Sequence, residues 1–145
     1  MPVRIIRIFN TYGPRMRKND GRAVPNFITK ALKDKPITFY VRGSQTRSLC
    51  YVSDLVRGIA ALLDSDINSP VNIGNPHELT ILKIAQAIKK LTGSKSKIAF
   101  KPLPVDDPKD RRPDITNARK KLHWAPKVEL EEGLIKTIEY FKHDK

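Results

Sequence analysis

The chain has 145 residues, 39% hydrophobic and 30% charged, a balance that belongs to one globular domain and not to a disordered chain. Twenty-eight Lys and Arg against fifteen Asp and Glu leave a formal charge of +13, which predicts an anionic partner without choosing among nucleic acid, acidic membrane and phosphorylated small molecule. The longest apolar run, Gly58 to Leu63, is far short of the roughly 20 residues of a membrane span, and Arg4 and Arg7 interrupt any apolar signal core. One cysteine, Cys50, rules out an internal disulfide, and three scattered histidines argue against a zinc site.

Val3 to Phe9 is β-branched and ends in turn residues, so it reads as a strand, apolar enough to be covered on both faces. Asn10 to Arg22 is a basic loop punctuated by Gly13-Pro14 and Asn19-Asp20-Gly21. Pro25 suits the first turn of a helix reaching about Lys33, with Phe27, Ile28, Ala31 and Leu32 inward. Ile37 to Val41 and Arg47 to Val52 are short strands, and Gly43-Ser44 turns between them. Ser53 is a candidate N-cap with Asp54 in the first turn, opening a helix that carries Leu55, Val56, Ile59, Ala60, Leu62 and Leu63.

Pro70 to Ile73 is a strand closed by Gly74. Thr80 caps an amphipathic helix bearing Ile81, Ile84, Ala85, Ile88 and Leu91, with Gly93 after its end. Lys97 to Lys101 is a strand, and Pro102 to Pro113 a long polar loop of the kind that is often functional. Ile115 to Leu122 and Leu130 to Phe141 are helices, the second with Leu134, Ile135, Ile138 and Phe141 inward. Alternating strands and helices make the class α/β.

Four segments carry chemistry. Arg7-Ile8-Phe9-Asn10-Thr11-Tyr12-Gly13-Pro14 leaves a strand end with short hydrogen-bonding side chains, where open α/β sheets bind ligands. The helix opening at Val24-Pro25-Asn26-Phe27 offers free N–H groups beside a basic loop, a setting that favours phosphate. Arg47 past a tight turn, and Arg111 at the end of the long loop, have the planar fork for a diphosphate clamp; surface ion pairing is the competing explanation for isolated arginines. Residue types and spacing lead as far as an anion-binding α/β domain.

In this order the motifs resemble the C-terminal half of an extended short-chain dehydrogenase/reductase acting on nucleotide sugars, and within that superfamily the UDP-glucuronate decarboxylases. The resemblance rests on Arg7 to Met16, Asn19-Asp20-Gly21-Arg22, Gln45-Thr46-Arg47, Tyr51-Val52-Ser53-Asp54, Asn72 to Pro76, Asp106-Asp107-Pro108, Arg111-Arg112-Pro113-Asp114, His123-Trp124-Ala125-Pro126 and Glu131 to Leu134. It implies a Rossmann-like α/β fold, with residues 1–145 forming a single partial domain: the last part of the sheet plus the nucleotide-sugar-binding subdomain.

Such enzymes use NAD to oxidise the sugar at C4, lose CO2 and re-reduce the product to UDP-xylose. By the resemblance, Asn10, Val24, Asn26, Phe27, Tyr40, Arg47 and Arg111 face UDP-glucuronate, while Thr11 and Arg22 face NAD. It further implies a homodimer of the whole enzyme, no nucleic-acid partner and no metal. Val41 departs from the family's usual glycine. The glycine-rich NAD loop and the Tyr-x-x-x-Lys catalytic pair are expected upstream of residue 1, so this chain is expected to be inactive alone. A related nucleotide-sugar epimerase or dehydratase, and a basic nucleic-acid-binding domain, are the alternatives.

Overall fold

A computed structural model describes residues 3–40, 45–101 and 112–144. Val41, the Gly43-Ser44 turn, most of the long polar loop and Arg111 lie outside them. The elements run β1 (Ile6–Ile8), β2 (Thr11–Tyr12), α1 (Ala23–Ala31), β3 (Ile37–Tyr40), β4 (Thr46–Ser48), β5 (Cys50–Tyr51) and α2 (Val52–Leu63). β6 (Val71–Ile73), β7 (Glu78–Thr80), α3 (Ile81–Thr92), β8 (Ile98–Lys101), α4 (Thr116–Leu122) and α5 (Leu130–His143) follow. Strands pair two by two among the described residues: β1 with β6, β2 with β5 and β3 with β8 in parallel, and β4 with β7 antiparallel. The class is α/β, with helical crossovers feeding parallel partners.

Two cores divide the molecule. The first gathers Tyr12, Phe27, Ile28, Ile84, Ile88 and Leu134 where α1, α3 and α5 pack over β3. The second gathers Leu55, Leu62, Val71, Ile73, Ala118 and Trp124 between α2, α4 and β6. Thr80 accepts from the Lys83 amide at 3.2 Å and Gly93 takes φ 64°, so α3 has the cap and the stop expected of it.

Several expectations need correction. α1 begins two residues before Pro25, whose missing N–H falls within the first turn, where that donor has no helical partner anyway. The stretch from Arg47 to Val52 is not one strand: β4 turns to β7, while β5 turns to β2, so the chain changes partner at Leu49. β7 went unforeseen. Ser53 caps nothing, because Tyr51 leads from β5 directly into α2 as its N-cap, without a side-chain hydrogen bond.

The inner face of α2 is Asp54, Leu55, Gly58 and Leu62, whereas Val56 and Leu63 are 58% and 69% exposed. Ile59 and Ala60 are exposed as well. Ile135 points outward from α5. Val3 and Ile5, just before β1, and Ile8 within it are exposed.

Asp54 holds the second core to the last third of the chain. Its buried carboxylate accepts from the Lys127 and Val128 amides, both at 2.9 Å, and from Arg57 at 2.5 Å. Its carbonyl accepts from Trp124 Nε1 at 3.0 Å, and the Arg57 guanidinium lies 5.8 Å from the Trp124 ring centre. Gly58 is required beside this contact, since a Cβ there would come within 2.8 Å of Ile73 and 3.0 Å of the indole nitrogen.

Candidate functional site

A cavity of about 700 Å³ opens where the end of β1, the start of α1, and β3 and β4 converge. That volume suits a bound organic molecule. Seven residues singled out from the sequence line it together: Asn10, Thr11, Arg22, Val24, Asn26, Phe27 and Arg47. Tyr40 ends β3 by its backbone, immediately after the lining residues Thr38 and Phe39, and its side chain lies outside what is described. Arg111 lies outside the described residues, so the two-arginine clamp is represented there by Arg47.

The chain path explains the convergence. β1 is held to β6, the Asn10 carbonyl accepts from the Cys50 amide at 3.0 Å, and β2 then pairs with β5. Close packing fixes this exit: a Cβ on Gly13 would stand 2.5 Å from Val52 Cγ1. Tyr12, 2% exposed, runs under the cavity and donates to the Leu130 carbonyl at 3.3 Å. Its ring rests against Gly133 of α5, where a side chain would collide with the phenol. Burial, chiefly, with Tyr51 nearby, holds the Tyr12 hydroxyl well above the usual phenol range, so it serves as an anchor and not as a base.

The polar equipment is specific. The buried amide nitrogen of Asn10 and the buried amide oxygen of Asn26 have no hydrogen-bond partner. Unpaired buried polar atoms are costly unless a ligand or water completes them. Arg22 is pinned by Asp20, with Nη2 at 2.6 Å and Nε at 2.7 Å from one carboxylate oxygen, so much of its charge is already balanced. Arg47 donates to the Thr46 carbonyl at 2.8 Å, which lays its guanidinium along β4. α1 has no side-chain cap, and Gly21, Arg22, Ala23 and Val24 at its start line the cavity.

A smaller recess of about 330 Å³ shares Thr11, Tyr12, Met16 and Arg22 with the first cavity and adds Arg15, Arg17 and Asp20. Thr11 and Arg22 therefore stand at the boundary between two connected spaces.

Sequence reasoning missed Lys30, Thr38, Gln45 and Leu49 in the cavity wall. Lys30 in the last turn of an amphipathic helix looks like a solvated residue, and only the partner strand shows otherwise. Its Nζ lies 2.5 Å from Thr38 Oγ1. Cys50 is fully buried, and burial pushes its thiol up to about 12, with the Asp54 carboxylate adding to the effect. It is inert as a nucleophile. Among the described residues there is no group of three or more His, Cys, Asp or Glu able to hold a metal, and no helix long and apolar enough to cross a membrane.

An α/β scaffold with a cavity at a strand end and parallel strands joined by helical crossovers is that of the Rossmann-like class. The chain belongs to the NAD dependent epimerase/dehydratase family, whose family model matches residues 1–74. It is 57% identical over 142 residues to UDP-glucuronic acid decarboxylase 1 of Danio rerio, covering 98% of this chain and 34% of that protein. It is 48% identical over 141 residues to UDP-glucuronic acid decarboxylase 1 of Arabidopsis thaliana, covering 97% and 32%. The chain thus spans about a third of the length of these curated relatives.

Among solved structures it resembles UDP-glucuronic acid 4-epimerase from Bacillus cereus in complex with UDP-glucuronic acid and NAD. The TM-score is 0.89 at 34% identity, over 98% of this chain and 46% of that one. It corresponds to the C-terminal half of that fold.

Proposed function

We propose that this chain is the nucleotide-sugar-holding part of a UDP-glucuronic acid decarboxylase. The observation that carries it is the gathering of Asn10, Asn26, Phe27 and Arg47 around one cavity with two buried amide atoms awaiting partners. Relatives at 48–57% identity bear that enzyme's name. We take β1 and β6 as the end of the Rossmann-like sheet and the first core as the sugar-nucleotide subdomain.

In this arrangement Arg47 holds the diphosphate with the α1 N-terminus, and Val24, Asn26 and Phe27 face the nucleotide. Asn10 donates from its unpartnered amide to the sugar. Residues present here also fit the edge of NAD: Thr11 and Arg22 border both spaces, and Arg22, steadied by Asp20, is a fixed donor. When bound, NAD supplies hydride chemistry at C4 of the sugar, which is what allows the carboxylate to leave as CO2. This chain positions the substrate for that chemistry. None of its tyrosines has a lysine four residues later, and Tyr12 has its hydroxyl committed to Leu130. A nucleic-acid partner fits less well, because these groups gather around one cavity and not along a track for a backbone.

Isothermal titration of the chain with UDP-glucuronate tests this reading. Saturable binding is expected, with Arg47→Ala weakening it about 10-fold or more. Absence of binding, or full affinity in Arg47→Ala, refutes it. The solved epimerase makes a second reading specific, and the product formed by the whole enzyme separates the two: UDP-xylose with CO2, or an epimer retaining its carboxylate.

A further inference from the structure

We propose that six lysines at the end of the molecule away from the cavity form a docking surface for an anionic lipid bilayer. Lys33 and Lys35 lie in the turn between α1 and β3, Lys89 and Lys90 in the last turn of α3, and Lys95 and Lys97 between α3 and β8. Hydrogen bonds bring these segments side by side. The Asp34 carboxylate accepts from Ser94 Oγ at 2.9 Å and from the Lys95 amide at 2.8 Å, and the Ile37 amide donates to the Lys97 carbonyl at 2.9 Å. α1 and α3 thus end together, and the cavity at the start of α1 is about 14 Å away along the helix. None of the six lysines lines either cavity.

The charge at this end is not balanced from within. All of the six but Lys89 are exposed, and among the described residues none of them takes part in an ion pair or a side-chain hydrogen bond. Asp34 is the one acid in these segments, and its carboxylate is turned to Ser94 and the Lys95 amide. The α3 dipole accounts for Lys89 and Lys90, but its reach ends with the last turn, and Lys35, Lys95 and Lys97 lie past the helix ends. Like charges grouped without a partner repel one another, and an anionic partner converts that repulsion into attraction. The residue types select the partner. These segments hold no arginine fork for single phosphates and no aromatic ring for stacking on bases, which sets nucleic acid aside. Flexible ammonium point charges on adjacent turns suit a plane of closely spaced anionic headgroups.

Cosedimentation with unilamellar vesicles tests the proposal, comparing phosphatidylcholine alone with mixtures containing phosphatidylserine. The chain should bind the mixed vesicles, leave the neutral ones, and be released by added salt. Combining Lys35→Gln, Lys95→Gln and Lys97→Gln should weaken binding about 100-fold, or about fivefold for each lysine taken from the surface. Combining Lys83→Gln, Lys120→Gln and Lys121→Gln removes the same charge from exposed positions elsewhere, and should change binding less than about fivefold. Since all six substituted side chains are exposed, neither variant disturbs a core. No binding to the mixed vesicles, equal losses in the two triple variants, or a preference for soluble polyglutamate or single-stranded RNA over the vesicles overturns the proposal.

Discussion

The two cores differ in how completely they are enclosed. Around the first, α1, α3 and α5 close over β3, and its apolar side chains are buried with the cavity at their rim. The second is one-sided: α2 buries Leu55 and Leu62 while presenting Val56, Ile59 and Leu63 outward, and Ile5 and Ile8 are exposed too. The contrast teaches that α2 carries more apolar surface than its neighbours here can use. What secures the second core is therefore a polar device, Asp54, as much as packing.

Breaking that device should have the largest effect. Asp54→Ala removes the acceptor for two amides and for Arg57, and should cost about 3–5 kcal/mol in chemical denaturation. A loss below about 1 kcal/mol would show that packing alone secures the second core.

Alkaline pH probes the boundary between the cores, where Tyr12 and Cys50 lie. Both have folded-state pKa values raised above their ordinary ones, so the folded chain retains protons that the unfolded chain releases. Stability from these groups is intact below about pH 9, the ordinary thiol value, and falls as pH rises toward about 12. The slope approaches about 1.4 kcal/mol per pH unit for each group. A denaturation midpoint that is flat from pH 8.5 to 10.5 would contradict this placement. The smallest effect belongs to the open face: Leu63→Lys should change stability by less than about 0.5 kcal/mol while lowering self-association in sedimentation. A larger loss would mean that Leu63 is packed.

The sequence made the cavity legible wherever a residue's chemistry and its local turn agreed. Asn10 at a strand end, Asn26 at a helix start and Arg47 past a turn each announced a polar task, and they converge. Lys30 and Thr38 did not, because a helical lysine and a strand threonine acquire meaning only from each other across the α1–β3 packing. Asp54 was read as a first-turn charge favouring the helix dipole. Its partners, the amides of Lys127 and Val128, are more than 70 residues away, beyond any local pattern. The buried face of α2 is equally hidden from local pattern: Gly58, where Ile73 and Trp124 approach, lies on it with Asp54, while the apolar Val56 and Leu63 do not.

The hydrogen bond from Tyr12 to Leu130 spans 118 residues. Read as a timetable, it puts the first and last parts of the chain on one schedule. At a synthesis rate of about 5–20 residues per second, the floor of the cavity waits on the order of ten seconds for the helix that pins it. Contacts of such long separation also close slowly. Newly made chains therefore pass through an interval in which the Asn10 loop exists without its anchor, and the floor of the cavity is fixed only once α5 has joined it.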